Sequence, residues 1–397
     1  MTPGRRREIT DGMLRPQFVA DDPKDVGIDP QKLEALLERA EREVRDGLLP
    51  ATQIAVARQG KIAAMRTVGR VKHEGRETAA SNDTLFCVFS CTKAITSAAA
   101  WLLIQDGALA VDELAASIVP ELGTHGKDVI RVEQLLTHTA GFPSAPFDPA
   151  EFKDRTRRLE RFSQWRLNWE PGTRFEYHPS SSMYVVAEII ERRSGVAYGE
   201  FVRKRIAEPL GLDDLWVGLP PALHPRLADI ENVGEAMTAD DYARLGMRMP
   251  PETEVTPEAL LRFNLPQLRE AGIPGGGGTM TAAELALFYQ ALLNGGAHGR
   301  EQVWKPETLR MAREIRSGDL RDPGHGRRAN RSLGLIIAGD AERTFRGFGH
   351  TNSELAFGHG GAGGQIGWAD PATGISIGYC TSGHDRNPLR AGRRTVG

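Results

Sequence analysis

The spacing of apolar residues changes period twice along this chain. Behind an Asp29-Pro30 start, Leu33, Leu36, Leu37 and Ala40 recur at three- and four-residue intervals, predicting a helix to about Val44. Two alternating segments follow, 53–58 and 61–68, and meet at Gln59-Gly60 as a predicted hairpin. Residues 1–28 read as an irregular lead-in and 71–83 as a polar loop. Residues 84–89 are apolar and strand-like, and 94–104 are apolar on every face, as in a buried helix. The period stays helical to about residue 295, with helices expected at 90–106, 131–138, 181–194, 198–208, 238–247 and 281–294. After about residue 331 it returns to two, giving strands at 332–338, 355–359, 365–369 and 374–381. Strands at both ends and helices between them imply an α+β fold, one sheet built from both termini around a mostly helical insertion.

Composition narrows the function classes. The chain has 397 residues, enough for one large domain or two interlocked ones. A formal net charge of −2 argues against nucleic-acid binding. Arginine outnumbers lysine 41 to 9, but the runs at 5–7, 155–161 and 327–331 are broken by acids or glycine and read as solvated faces or loops. No stretch is apolar and long enough to span a membrane, and no apolar leader segment stands at the start, so a cytoplasmic protein is expected. Cys87, Cys91 and Cys380 form neither a disulfide framework nor a metal spacing, and no histidine set does, so neither metal nor cofactor is expected. Cys91 is expected to pack rather than react.

The chemistry concentrates at Ser90-Cys91-Thr92-Lys93. Positions i and i+3 share a helix face, so the Ser90 hydroxyl and the Lys93 amine can meet. A serine is a weak nucleophile without an adjacent base, and a deprotonated buried lysine can supply one. Chance alone gives about 0.3 serine-x-x-lysine matches in this composition. The weight lies in the context: an apolar strand before this one match and a buried helix after it. A second serine motif, Gly374-Ile375-Ser376-Ile377-Gly378, has the G-x-S-x-G form but lies in strand alternation. It lacks the strand-to-helix turn that the motif requires. The run 275–278 is four glycines without a phosphate-loop lysine, so it is read as a turn into a helix.

Several blocks, taken in order, resemble the serine β-lactamase and penicillin-binding protein superfamily, in particular class C β-lactamases and family VIII carboxylesterases. They are Ser90–Lys93, the block 132–141, Pro171-Gly172-Thr173 through Tyr177, the block 275–293, and Gly358-His359-Gly360-Gly361-Ala362-Gly363. The resemblance spans residues 28 to 384. It implies an antiparallel sheet in a subdomain of residues 1–95 and 275–397, a helical subdomain of 96–274, and a site at their interface. It further implies Ser90 as acyl-accepting nucleophile, Lys93 and Tyr177 as a coupled base pair, and the N–H groups of Ser90 and Ala362 as oxyanion hole. His359, Gly360, Gly361 and His178 would line the substrate site. Tyr184 and His138 are expected to pack and to brace a turn. Two positions depart from the family pattern. Tyrosine-x-asparagine is here Tyr177-His178-Pro179, and the third motif begins with His359 rather than lysine. Both weaken recognition of a β-lactam and favour a small acyl ester as substrate. Acyl transfer, amide or β-lactam hydrolysis, and binding without catalysis remain the alternatives. The terminal helix common in the family is expected to be short or absent.

Overall fold

Seven strands form one antiparallel sheet that draws on both ends of the chain. In chain order they are β1 (Ala51–Arg58), β2 (Lys61–His73), β3 (Arg76–Ala79), β4 (Ile336–Ile337), β5 (Phe357–Gly360), β6 (Ile366–Asp370) and β7 (Ile375–Thr381). Their order across the sheet is β4-β5-β6-β7-β1-β2-β3, with the N-terminal hairpin joined to the C-terminal strands through Thr52↔Thr381 to Arg58↔Ile375. The computed structural model describes residues 14–244, 255–298 and 301–396. The basic run 5–7, the first part of the lead-in and the last residues of the helix expected at 238–247 lie outside them; the described part of that helix is Ala239–Arg244.

Period-two alternation sends the two faces of β1 into different cores. Ile54 and Val56 pack with Leu33 and Leu37 of α1 (Pro30–Arg45), whose first turn is capped by Asp29 accepting from Gln31 and Lys32. Ala55 and Ala57 join the larger core on the opposite face. A helix there, Ala282–Leu293, lies close because glycines face it. A Cβ on Gly378 would fall 2.1 Å from Ala282 O, and one on Gly367 would fall 2.5 Å from the Tyr289 ring. Gln290 on that helix accepts from Gly60 N at 2.9 Å and reaches Ala57 O, Gly374 O and Ser376 Oγ within 3.1 Å. Ser376 is thus a buried β7 residue whose hydroxyl also donates to Ala286 O, as the strand alternation implies.

Three local expectations need correction. The polar segment 71–83 is largely strand: β2 continues to His73 and pairs with β3 across a left-handed Glu74-Gly75 turn. The strand expected at 332–338 shrinks to Ile336–Ile337, because Asn330 (φ 45) and Gly334 (φ 92) bend the backbone, and Gly334 presses on Ser97. The arginine-rich run near 155 is a helix, Arg155–Gln164, and not a wholly solvated one. Arg158 is buried and pairs with Glu188 and Glu191 of the helix Ser181–Ser194, and Glu188 also takes Arg155 and Arg192. Charge pairing therefore stands in for apolar burial at that contact, which an apolar-period reading cannot see. The terminal helix is short but present, Pro388–Val396, and it rests against the turn Ala362–Gly364.

Candidate active site

Ser90 lies in a single helical turn, Phe89–Cys91, that opens directly into the buried helix α2 (Thr92–Gln105). Phe89, just before it, has φ 44, a left-handed conformation costly for a bulky aromatic residue. The surrounding bonds enforce it. Val88 N donates to Gly278 O at 2.9 Å, and Cys91 N donates to Val88 O at 3.1 Å. The Thr92 hydroxyl donates to Phe89 O and accepts from Gly278 N at 2.9 Å. Ser90 is left partly exposed while its neighbours are buried.

Lys93 is fully buried, and its Nζ donates to Ser90 Oγ at 3.1 Å and to Gly275 O at 2.7 Å. No carboxylate pairs with it among the described residues. Burying an amine with so few polar partners is costly for folding alone. The glycine run explains the second bond: a Cβ on Gly275 would lie 3.3 Å from Pro179 O and 3.5 Å from Lys93 Nζ. In sequence the run reads as a turn that opens the block 275–293, and nothing in its spacing points to a carbonyl that holds the lysine.

The Tyr177 ring centroid stands 5.1 Å from Lys93 Nζ, and its buried hydroxyl has no partner among the described residues. His138 packs on it at 4.7 Å between centroids, and its Nδ1 accepts from His178 N at 3.2 Å. His138 therefore braces its turn, as expected, from a left-handed φ of 59. Tyr184 is wholly buried against Phe147 and Phe152.

His178 is where the structure disagrees with a substrate-lining role. Its ring has no exposure, Nε2 accepts from Phe142 N at 3.2 Å, and Nδ1 lies 2.7 Å from Glu176 O. Both nitrogens are committed to backbone, and the ring packs among His138, Phe142 and Trp169. Pro179 follows it, and Pro179 O lies against Gly275.

The third motif lies alongside. His359 on β5 is buried, its Nδ1 lies 2.7 Å from Gly360 O, and its Nε2 has no partner among the described residues. Its ring centroid is 6.1 Å from that of Tyr177. Gly361 must be glycine, since a Cβ would fall 2.4 Å from Val88 O, and Ala362 begins the turn Ala362–Gly364 next to it. The Cys91 thiol donates to His359 O at 3.1 Å, and burial pushes its pKa up to about 12, so it is packed and unreactive. No group of three metal-ligating side chains occurs among the described residues, and no described helix is long and apolar enough to cross a membrane.

One basic residue was missed. Arg331, last in a run expected on a solvated loop, turns inward, with its guanidinium carbon 5.4 Å from the Tyr177 ring centroid and 5.3 Å from that of Phe175. No spacing signal separates it from Arg327 and Arg328. It follows the left-handed Asn330, and its backbone is held by Ser317 and Arg316.

The buried histidines carry a pH signature. Burial lowers His178 to about 4 and puts His138 and His359 well below the ordinary value, with Arg331 and Lys93 adding repulsion at the latter two. Below about pH 6.5 the unfolded chain takes up protons that the folded chain refuses. Stability should therefore fall as pH drops from about 6.5 toward 4, by on the order of 2 kcal/mol at pH 5 for His178 alone. Urea unfolding at pH 7.5 and pH 5 checks this, and an unchanged or higher midpoint at pH 5 would contradict it.

A partly exposed serine bonded to a buried lysine at a helix start, with a tyrosine and the end of an antiparallel sheet beside it, defines a serine hydrolase of β-lactamase-like fold. Comparison with known proteins agrees. The chain belongs to the Beta-lactamase family, whose model matches residues 37–396. It is 27% identical over 311 residues to Esterase/beta-lactamase LipL of Mycobacterium tuberculosis, covering 75% of this chain and 69% of the relative. A penicillin-binding protein homologue from Caulobacter crescentus superposes with a TM-score of 0.75 at 28% identity, over 93% of this chain and 97% of the other. A family VIII carboxylesterase superposes with a TM-score of 0.76 at 26% identity, over the same shares.

Proposed function

We propose that this chain hydrolyses small carboxylic esters through an acyl-enzyme on Ser90. The observation that carries the reading is the 3.1 Å bond from a fully buried Lys93, with no carboxylate partner among the described residues, to the Ser90 hydroxyl. The hydroxyl oxygen attacks the ester carbonyl while its proton passes to the Lys93–Tyr177 pair. The oxyanion is held by the N–H groups of Ser90 and Ala362. Collapse breaks the bond to the alcohol, which takes the proton from the pair and leaves. Water, deprotonated by the same pair, then attacks the acyl carbonyl and restores Ser90. The cleft lies between the sheet subdomain, 1–95 and 275–397, and the helical subdomain, 96–274. Pro179 offers no side-chain amide to a β-lactam, and the deeply buried His359 is a poor replacement for a lysine, so both favour an ester.

The test is initial rates on p-nitrophenyl acetate and butyrate. The reading expects saturable turnover well above buffer hydrolysis. A folded protein inert toward both would reject ester hydrolysis.

A further inference from the structure

We infer that Thr96, steadied by Tyr198, is a positioning residue that pins the glycine run whose carbonyl holds Lys93. The inference rests on the ester-hydrolase reading and adds a residue to its base.

Residues 275–278 are four successive glycines, the sequence with the widest backbone freedom. Yet Gly275 O accepts from Lys93 Nζ at 2.7 Å, the one hydrogen bond of that amine besides Ser90 Oγ among the described residues. A carbonyl that wandered would spoil the aim of Lys93 at Ser90, and a misplacement of about 1 Å can cost on the order of 10²-fold in rate. Larger residues cannot stiffen the run. A Cβ would fall 3.3 Å from Pro179 O at Gly275, 2.5 Å from Ile273 N at Gly277 and 2.7 Å from Thr92 Oγ1 at Gly278. Rigidity has to come from outside the run.

Two hydroxyls of α2, one turn apart, supply it from either side of Lys93. Thr92 Oγ1 accepts from Gly278 N at 2.9 Å, at the far end of the run. Thr96 Oγ1 donates to Pro274 O at 2.7 Å, at the near end. Between them, Gly276 N and Gly277 N donate to Ile273 O at 3.1 and 2.7 Å. The peptide before Gly275 is thus held through Pro274 O and the peptide after it through Gly276 N. The Gly275 carbonyl is left with one direction, toward Lys93.

The protons assign the Thr96 bond. Its hydroxyl has one proton and lies 2.7 Å from Pro274 O, 3.1 Å from Thr92 O and 2.5 Å from Tyr198 Oη. Tyr198 is buried, burial pushes its phenol up, and Thr96 Oγ1 is its hydroxyl's one partner among the described residues. Tyr198 therefore keeps its proton and donates it to Thr96. The Thr96 proton is left for a carbonyl, and Pro274 O is nearer than Thr92 O, the usual back-bonding acceptor for a threonine inside a helix. Tyr198 is itself anchored, with its N donating to Glu191 Oε1 at 3.1 Å and Glu191 paired with the buried Arg158.

Thr96→Val removes the hydroxyl at nearly constant shape, and Thr96→Ser keeps it. On p-nitrophenyl acetate, Thr96→Val should lower kcat by about 10- to 100-fold with KM within about threefold of wild type. Thr96→Ser should stay within about threefold in both. Ser97→Ala removes a buried, unpartnered hydroxyl at the next position of the same helix and should do likewise. Hydrogen–deuterium exchange reads the pin without turnover. At Gly276 and Gly277 it should speed up by about tenfold or more in Thr96→Val and stay unchanged in Thr96→Ser. Urea unfolding confirms that each variant is folded. If Thr96→Val does not fold, Tyr198→Phe, which removes the prop and leaves Thr96 in place, should show the same kcat-only loss at about threefold or more. A kcat near that of wild type in the folded variant, a loss carried by KM, an equal loss in Thr96→Ser or Ser97→Ala, or unchanged exchange overturns the inference. If no ester is turned over, the hydrolase reading fails by itself and exchange alone decides the pin. Faster exchange in Thr96→Val but not in Thr96→Ser then supports it, and any other pattern overturns it.

Discussion

Replacing Ser90 by alanine should lower kcat on p-nitrophenyl esters by about 10⁴-fold or more while the protein stays folded. The loss is large because nothing nearby can replace the nucleophile. Cys91 is buried, its thiol is committed to His359 O, and its pKa is raised to about 12. The other serine in a hydrolase-like motif, Ser376, is locked in β7 under Ala286. The structural cost is small because the Ser90 hydroxyl makes one side-chain bond among the described residues, and Lys93 keeps its bond to Gly275 O without it. Folding should shift by no more than about 1 kcal/mol. Initial rates and urea unfolding on the same sample test both halves. Residual activity within tenfold of wild type would move the nucleophile elsewhere.

Tyr177→Phe should show a similar split at smaller amplitude. Its hydroxyl has no partner among the described residues, so removing it breaks no bond of the fold and exposes no donor. The ring keeps its packing against His138 and its place beside Lys93 and Arg331. Stability should hold, or rise slightly, because a buried hydroxyl without a partner is itself costly. Turnover should fall by about 10²–10⁴-fold, the usual worth of a positioned proton-transfer group. A variant with normal rates would leave Lys93 as sole base. A variant with a collapsed urea midpoint would make the hydroxyl structural.

The outline of this fold was legible because its strands and long helices follow simple periods. The Gln59-Gly60 hairpin, the Asp29 cap and the buried helix after Ser90 are where the pattern put them. What escaped was structure set by charge or by backbone conformation. Arg158 is buried because Glu188 pairs with it, and a chain read for apolar spacing treats it as solvated. The segment 332–338 alternates like a strand, but left-handed Asn330 and Gly334 bend it. At the site, Ser90 and Lys93 were readable because three residues on a helix fix their separation. Tyr177 and His359 entered through family resemblance, and the structure brings them together with Lys93. His178 was named for its adjacency to Tyr177 in sequence, which does not reveal that its ring nitrogens face Phe142 N and Glu176 O. Arg331 and the Gly275 carbonyl were invisible, since their meaning depends on segments far apart in sequence.

The most direct test is to look for the acyl group itself. Wild type is mixed with excess p-nitrophenyl acetate, quenched in acid during steady turnover, digested and mapped by mass spectrometry. One acetyl group on the peptide containing Ser90, absent from Ser90→Ala treated alike, is the predicted result. Turnover with no acylated Ser90 at any quench time, or with the acetyl group on another residue, would contradict it.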